Sequence, residues 1–237
     1  MGIFYTAADV LRWEEIATKD IPFQMEALRQ PNLTSNIRWQ RYGSLKGDYH
    51  SLAMVSIARK KFDDARQNLR KATEMTLEQY AIRSADRGET SAGDFQAVLL
   101  AYVTAYQAVI SKMVTVYSWA KGVPESVFLG KIIKFLALMD IPNAQDVLVQ
   151  KRPRLEKMFD GYPDCLQAIA NKDEAALQAA ITVASKSWAR RAARFEKGLP
   201  HSVCFLQGVG LIRLAQQVMN VKLSISDENL PPELLSA

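Results

Sequence analysis

The stretch from Gly47 to Met75, GDYHSLAMVSIARKKFDDARQNLRKATEM, decides the fold. Leu52, Val55, Ile57 and Ala58 lie on one helical face, and after a short KKFDD hinge Ala65, Leu69, Ala72 and Met75 lie on another, continued by Leu77 and Tyr80. Two amphipathic helices joined by so short a hinge bury both apolar faces only by folding back on each other. The stretch is therefore an αα-hairpin.

Working outward, a similar unit recurs 112 residues later. IANKDEAALQAAITVA lies over the first hairpin with Ile57 on Ile169, Ala58 on Ala170, Lys60 on Lys172 and Ala72 on Ala184. The small-residue pattern is similar to tetratricopeptide units, but the full signature is missing and no tandem array follows, which excludes an open solenoid. Ahead of the first hairpin, Thr6-Ala7-Ala8-Asp9 has the form of a capping box and opens a helix expected over about residues 7–18. Ile21-Pro22 is expected to end that helix and start another. Beyond Pro31, the helical run with Ile37, Trp39 and Tyr42 is interrupted in sequence by Gly43 and Gly47.

Between the hairpins lies the longest apolar segment, DFQAVLLAYVTAYQAVISKMVTVYSWAKG, opened by a cap at Ser91 and Asp94. Gln96, Gln107 and Lys112 interrupt it, and a lysine at the centre of a bilayer costs about 2.5–3.5 kcal/mol, so it reads as a long central helix of a protein core. Gly122 closes it and Pro124 opens the next helix. Pro153 is expected to kink or divide a run from Gln145 to Phe159, and Asp160-Gly161 is a stop. VKLSIS alternates Val221, Leu223 and Ile225 at period two, an extended strip expected to pair with GIFYT near the N-terminus or to lie on the helices. Pro231-Pro232 lead into a final ELL turn. The fold expected is all-α: a compact multi-helix bundle of αα-hairpins around a long central helix, one domain over residues 1–237, with a short extended segment near the C-terminus.

An apolar share of 49% over 237 residues is enough to bury a core without disulfides or metal. Cys165 and Cys204, far apart in a chain without a secretion-type leader, read as two buried thiols in a reducing cytoplasm. Zinc needs three or four ligands, and His50, His201, Cys165 and Cys204 show no CxxC or HExxH spacing, so no metal site is expected. No other cofactor is implied.

His201 and Cys204 stand three apart, the spacing of a thiol-imidazole pair on one helix. The packing reading is stronger, since Cys204 falls in line with Leu206, Val209, Leu211 and Leu214 around a buried helix, where free cysteine behaves as a small hydrophobe. Gly208-Val209-Gly210 lacks a third glycine and a preceding strand, so it reads as a place of close helix approach rather than a phosphate loop. No catalytic residue is assigned. Lys186, Arg190, Arg194 and Lys197 recur at three and four along one expected helix, with Arg191 beside them, and form the candidate partner-binding ridge. A second basic cluster, Arg59 to Lys71, is diluted by Asp63 and Asp64. A net charge of +5 and a pI near 9.1 fall short of a dedicated nucleic-acid binder, though a nucleic-acid-associated protein using the 186–197 ridge stays as the alternative.

Three stretches carry a resemblance: the hairpin GDYHSLAMVSIARKKFDDARQNLRKATEM, the late helix SVCFLQGVGLIRLAQQ and the ending DENLPPELL. Together they resemble the all-helical immunity proteins of bacterial polymorphic toxin systems, in particular the Immunity protein 49 family. The resemblance implies a cytoplasmic antidote that binds a cognate toxin domain and neutralises it by direct contact, without chemistry of its own. It carries over no site residue, and it leaves a homodimer open. A basic pI argues against mimicry of nucleic acid and for a toxin with an acidic face, or for inhibition by shape.

Overall fold

The computed structural model of the protein describes residues 4–87, 95–117, 123–223 and 225–235, in 83–87 the backbone alone. The described residues are all-α, without a strand. Contacts gather them into two compact units, Ile3–Glu89 with Glu196–Cys204, and Thr90–Phe195 with Phe205–Ala237.

The first unit is built on three helices, α1 (Ala7–Leu28), α2 (Ser35–Ala58) and α3 (Phe62–Arg87). The capping box is present: Thr6 accepts from the Asp9 amide and Asp9 accepts from the Thr6 amide. α1 does not stop before Pro22 but runs through it. Proline removes one hydrogen bond, to the Thr18 carbonyl, at a place where both residues are exposed and the loss costs least. Likewise α2 runs through Gly43 and Gly47. At Gly43 a Cβ would lie 2.6 Å from the Gln79 amide nitrogen, which donates to the Trp39 carbonyl at 3.0 Å, so this glycine admits a side chain of α3 to the backbone of α2.

The hairpin between α2 and α3 turns at Lys60, whose φ is 59°. Lys60 N donates to Ile57 O and Lys61 N to Ser56 O, the double carbonyl closure of a Schellman turn. The connection after Phe195 returns to this unit: Gly198 N donates to Phe4 O, and Gly198 O accepts from the Trp13 indole and the Arg12 guanidinium.

The second unit contains α4 (Phe95–Val103), α5 (Gln107–Val116), α6 (Pro124–Ala137), α7 (Ile141–Leu148), α8 (Tyr162–Asn171), α9 (Glu174–Phe195) and α10 (Leu206–Met219). The expected long central helix is two helices. Thr104 donates its hydroxyl to Ala101 O and accepts from Tyr106 N, and Ala105 takes a left-handed φ of 53°. A side chain that offers the backbone both a donor and an acceptor competes with the helical ladder and here wins. The caps expected at Ser91 and Asp94, and the stop at Gly122, lie outside the described residues. Among the described residues no helix is long and apolar enough to cross a membrane.

The α8–α9 hairpin repeats the α2–α3 turn at the aligned residue. Lys172 has φ 56°, its amide donates to Ile169 O, and Asp173 N donates to Ala168 O. The same closure joins α6 to α7 through Met139, with φ 60°. Pro153 does divide its run: α7 ends at Leu148, and only a 3-10 turn, Lys157–Phe159, forms before Gly161 starts α8 with φ 86°.

The core of this unit is where α10 meets α4. A Cβ on Gly210 would stand 2.2 Å from the Leu99 carbonyl oxygen, so the two backbones approach as only glycine allows. The described residues of VKLSIS form no strand; Leu223 and Ile225 are buried while Val221 is exposed, and Phe4, in GIFYT, pairs with Gly198 instead. The ending DENLPPELL is a clasp. Ser185 on α9 donates to Asp227 at 2.6 Å and accepts from Asn229 at 2.9 Å, the Asn229 carbonyl accepts from Phe205 N, and Arg213 holds the Leu234 carbonyl.

Candidate functional site

The expected cationic ridge is carried by α9, and the structure places only part of it there. α9 ends at Phe195, so Lys197 sits in the turn beyond, in the other unit, and leaves the ridge. The helix ends before the Lys197-Gly198 turn, where Gly198 adopts φ 75°. Along α9 itself Leu177, Ile181, Ala184, Trp188 and Ala192 are buried, and Lys186, Arg190 and Arg194 are exposed.

Steps of four residues drift by about 40° around a helix of 3.6 residues per turn. Lys186 therefore points away from the core, Arg190 is turned part of the way back, and Arg194 further. Arg190 and Arg194 thus reach a groove that Lys186 does not line. Its other wall is the segment Glu156–Asp160, and its volume is about 370 Å³.

The groove is held in shape by two bonds across it. The Ser187 hydroxyl donates to the Lys157 carbonyl at 2.5 Å, and Arg191 Nη1 lies 2.8 Å from the Met158 sulfur. Arg191 is half-buried and so forms the floor. At the mouth Phe195 is 68% exposed, with the Arg194 guanidinium 5.1 Å from its ring centroid. An exposed phenylalanine held under an arginine is a costly thing to leave in water and a ready contact for a partner. Among the described residues Lys157, Lys186, Arg190 and Arg194 make no ion pair, whereas Arg59 is bound bidentate by Glu14 and Arg66 is paired with Asp63. The arginines of the second basic cluster, Arg59, Arg66 and Arg70, are thus paired within their own unit, whereas Lys186, Arg190 and Arg194 of α9 are exposed.

The residues weighed for chemistry are placed differently from the expectation. His201 lies in a 3-10 turn, Pro200–Ser202, and Cys204 lies between that turn and α10, so the two share no helix. His201 instead packs against His50, with ring centroids 4.5 Å apart and the rings tilted by 38°. His50 is buried with no hydrogen-bond partner on Nδ1; burial, then His201, then Lys46, hold its pKa down to about 3, and it is neutral at physiological pH. Burial pushes the Cys204 thiol up, and the Cys165 thiol likewise, so both are protonated and screened from reagents. Among the described residues no three His, Cys, Asp or Glu side chains are placed to hold a metal ion.

A carboxyl pair escaped the sequence reading. Asp48 of α2 faces Asp20 of α1: burial, then Asp20, raise the Asp48 pKa to about 7, and its Oδ2 is buried with no hydrogen-bond partner among the described residues. Asp20 also accepts from Gln24, whose carbonyl oxygen accepts from Arg41. No motif marks two acids so far apart in sequence. Lys157, Met158 and Phe195 were missed in the same way, because only the turn after Pro153 brings the first two beside α9.

Comparison with protein families, with curated proteins and with solved structures finds no match to this chain.

Proposed function

We propose that this chain is an immunity-type binding protein that neutralises a cognate bacterial toxin domain in the cytoplasm by direct contact, and that the α9 groove is part of the contact surface. The resemblance of the sequence to the Immunity protein 49 family supports the class of function. The observation that carries the site is the outward-facing set Arg190, Arg194 and Phe195 over a preformed groove. Arginine and aromatic residues supply most interfacial binding energy, and a cationic rim speeds encounter with an acidic face. The groove is shaped by hydrogen bonds already made, so little ordering opposes binding.

The test is coexpression. The toxin domain encoded by the adjacent reading frame is expected to stop growth alone, to be harmless with this chain, and to copurify with it; a chain that neither protects nor copurifies contradicts the proposal. The nucleic-acid alternative predicts retention on DNA or RNA that falls steeply with salt.

A further inference from the structure

Resting on that reading and narrowing it, we infer that the α9 groove takes an acidic peptide segment of the partner that carries an aromatic or aliphatic side chain beside its carboxylates. Three features assign this chemistry. Arg190 and Arg194 line the groove as exposed guanidinium groups with no carboxylate of their own, and the planar fork of arginine matches a carboxylate bidentately. Phe195 and Met158 give the same groove an apolar contact, so a purely charged ligand leaves part of it unused. The volume of about 370 Å³ is that of a small pocket, suited to one large side chain and its flanking backbone.

The charge pattern separates this ligand from nucleic acid. Glu156 and Asp160 stand on the groove wall opposite the arginines. A peptide can set a neutral or amide side chain against them, while a phosphate backbone cannot avoid them. With Lys197 off the helix, the exposed cations of α9 also end at Arg194, a track of about 12 Å at 1.5 Å per residue. That is too short for the run of phosphate contacts that dominates nucleic-acid affinity.

The experiment is selection of a phage-displayed random 12-residue peptide library on the full chain. Three variants are run in parallel: Arg190→Glu with Arg194→Glu, Phe195→Ala, and Lys186→Glu as a charge change on α9 outside the groove. All four positions are exposed, and circular dichroism checks that each variant is folded. The expected result is enrichment of Asp or Glu next to Phe, Trp or Leu, with binding of the enriched peptides at least tenfold weaker to the double variant, severalfold weaker to Phe195→Ala, and unchanged for Lys186→Glu. Absence of enrichment, enrichment of sequences without acids, or equal loss with Lys186→Glu overturns the inference. A fluorescent 20-nucleotide single strand is the second probe; retention at low salt that the double variant abolishes overturns it in favour of nucleic acid. Peptide selection needs no toxin, so the outcome is read separately from protection: a groove that selects acidic peptides in a chain that fails to protect leaves the inference standing and removes the proposed function.

Discussion

Gly210 of α10 lies against the carbonyl of Leu99 in α4, so close that a methyl group in place of its hydrogen would stand 2.2 Å from that oxygen. Backbone cannot give way as a flexible side chain can. Gly210→Ala is therefore expected to destabilise the chain by at least the 1–3 kcal/mol usual for overpacking, roughly 2–4 °C in melting temperature for each kcal/mol at this size. Gly47, with nothing within 4 Å of its added Cβ in the middle of α2, is the contrast. Gly47→Ala is expected to stabilise by up to about 1 kcal/mol, and thermal melts of the two variants check both signs.

Lys60, Met139 and Lys172 occupy the same left-handed turn position, with φ between 56° and 60°, and all three are exposed. A residue with a Cβ is strained there, and at these exposed positions little packing offsets the strain. Met139→Gly and Lys172→Gly are each expected to raise stability by about 1 kcal/mol, and Lys172→Ala to leave it nearly unchanged; denaturant midpoints decide.

Asp48 holds its proton in the folded chain up to about pH 7, because burial and the neighbouring Asp20 disfavour its charge, whereas an unfolded aspartate loses it near pH 4. Between those values the folded state binds more protons than the unfolded one, so the contribution of this pair to stability declines as pH rises from about 4 to 7 and stays at its low value above. Asp48→Asn keeps the shape of the side chain and removes its charge. It is expected to be more stable than the parent at pH 8 and equal to it at pH 4, measured by chemical unfolding across that range; a difference that does not vary with pH contradicts the assignment.

The buried thiols give a fourth measurement. Neither Cys165 nor Cys204 is expected to react quickly with an aromatic disulfide reagent at neutral pH, and both react once the chain is unfolded in guanidinium. A fast equivalent at Cys204 in the folded protein would revive the thiol-imidazole reading of the sequence.

What was legible in the sequence was what local periodicity controls. The hairpins, the Thr6 cap, the start of α6 at Pro124 and the alignment of Lys60 with Lys172 follow from residues close together in the chain, and the matching turn bonds bear out that alignment. The errors came where a neighbour in space or a single side chain decided. Thr104 divided the central helix through its own hydrogen bonds, Pro22 and the α2 glycines were absorbed into helices that packing sustains, and Lys197 lost the ridge because α9 ended two residues early. The groove itself is half legible: the spacing of Arg190 and Arg194 shows in the sequence, but the Lys157–Asp160 wall comes from a 3-10 turn that no periodicity announces.

Contact through the α9 groove and its arginines is the proposed means of neutralisation. The most direct measurement is a calorimetric titration of the full chain with the toxin domain from the adjacent reading frame, repeated with Arg190→Glu and Arg194→Glu together. Saturable binding that the double variant weakens about a hundredfold or more, with growth protection lost in parallel, is the predicted result. Binding of the double variant as tight as the parent's, or no heat from either, would contradict it.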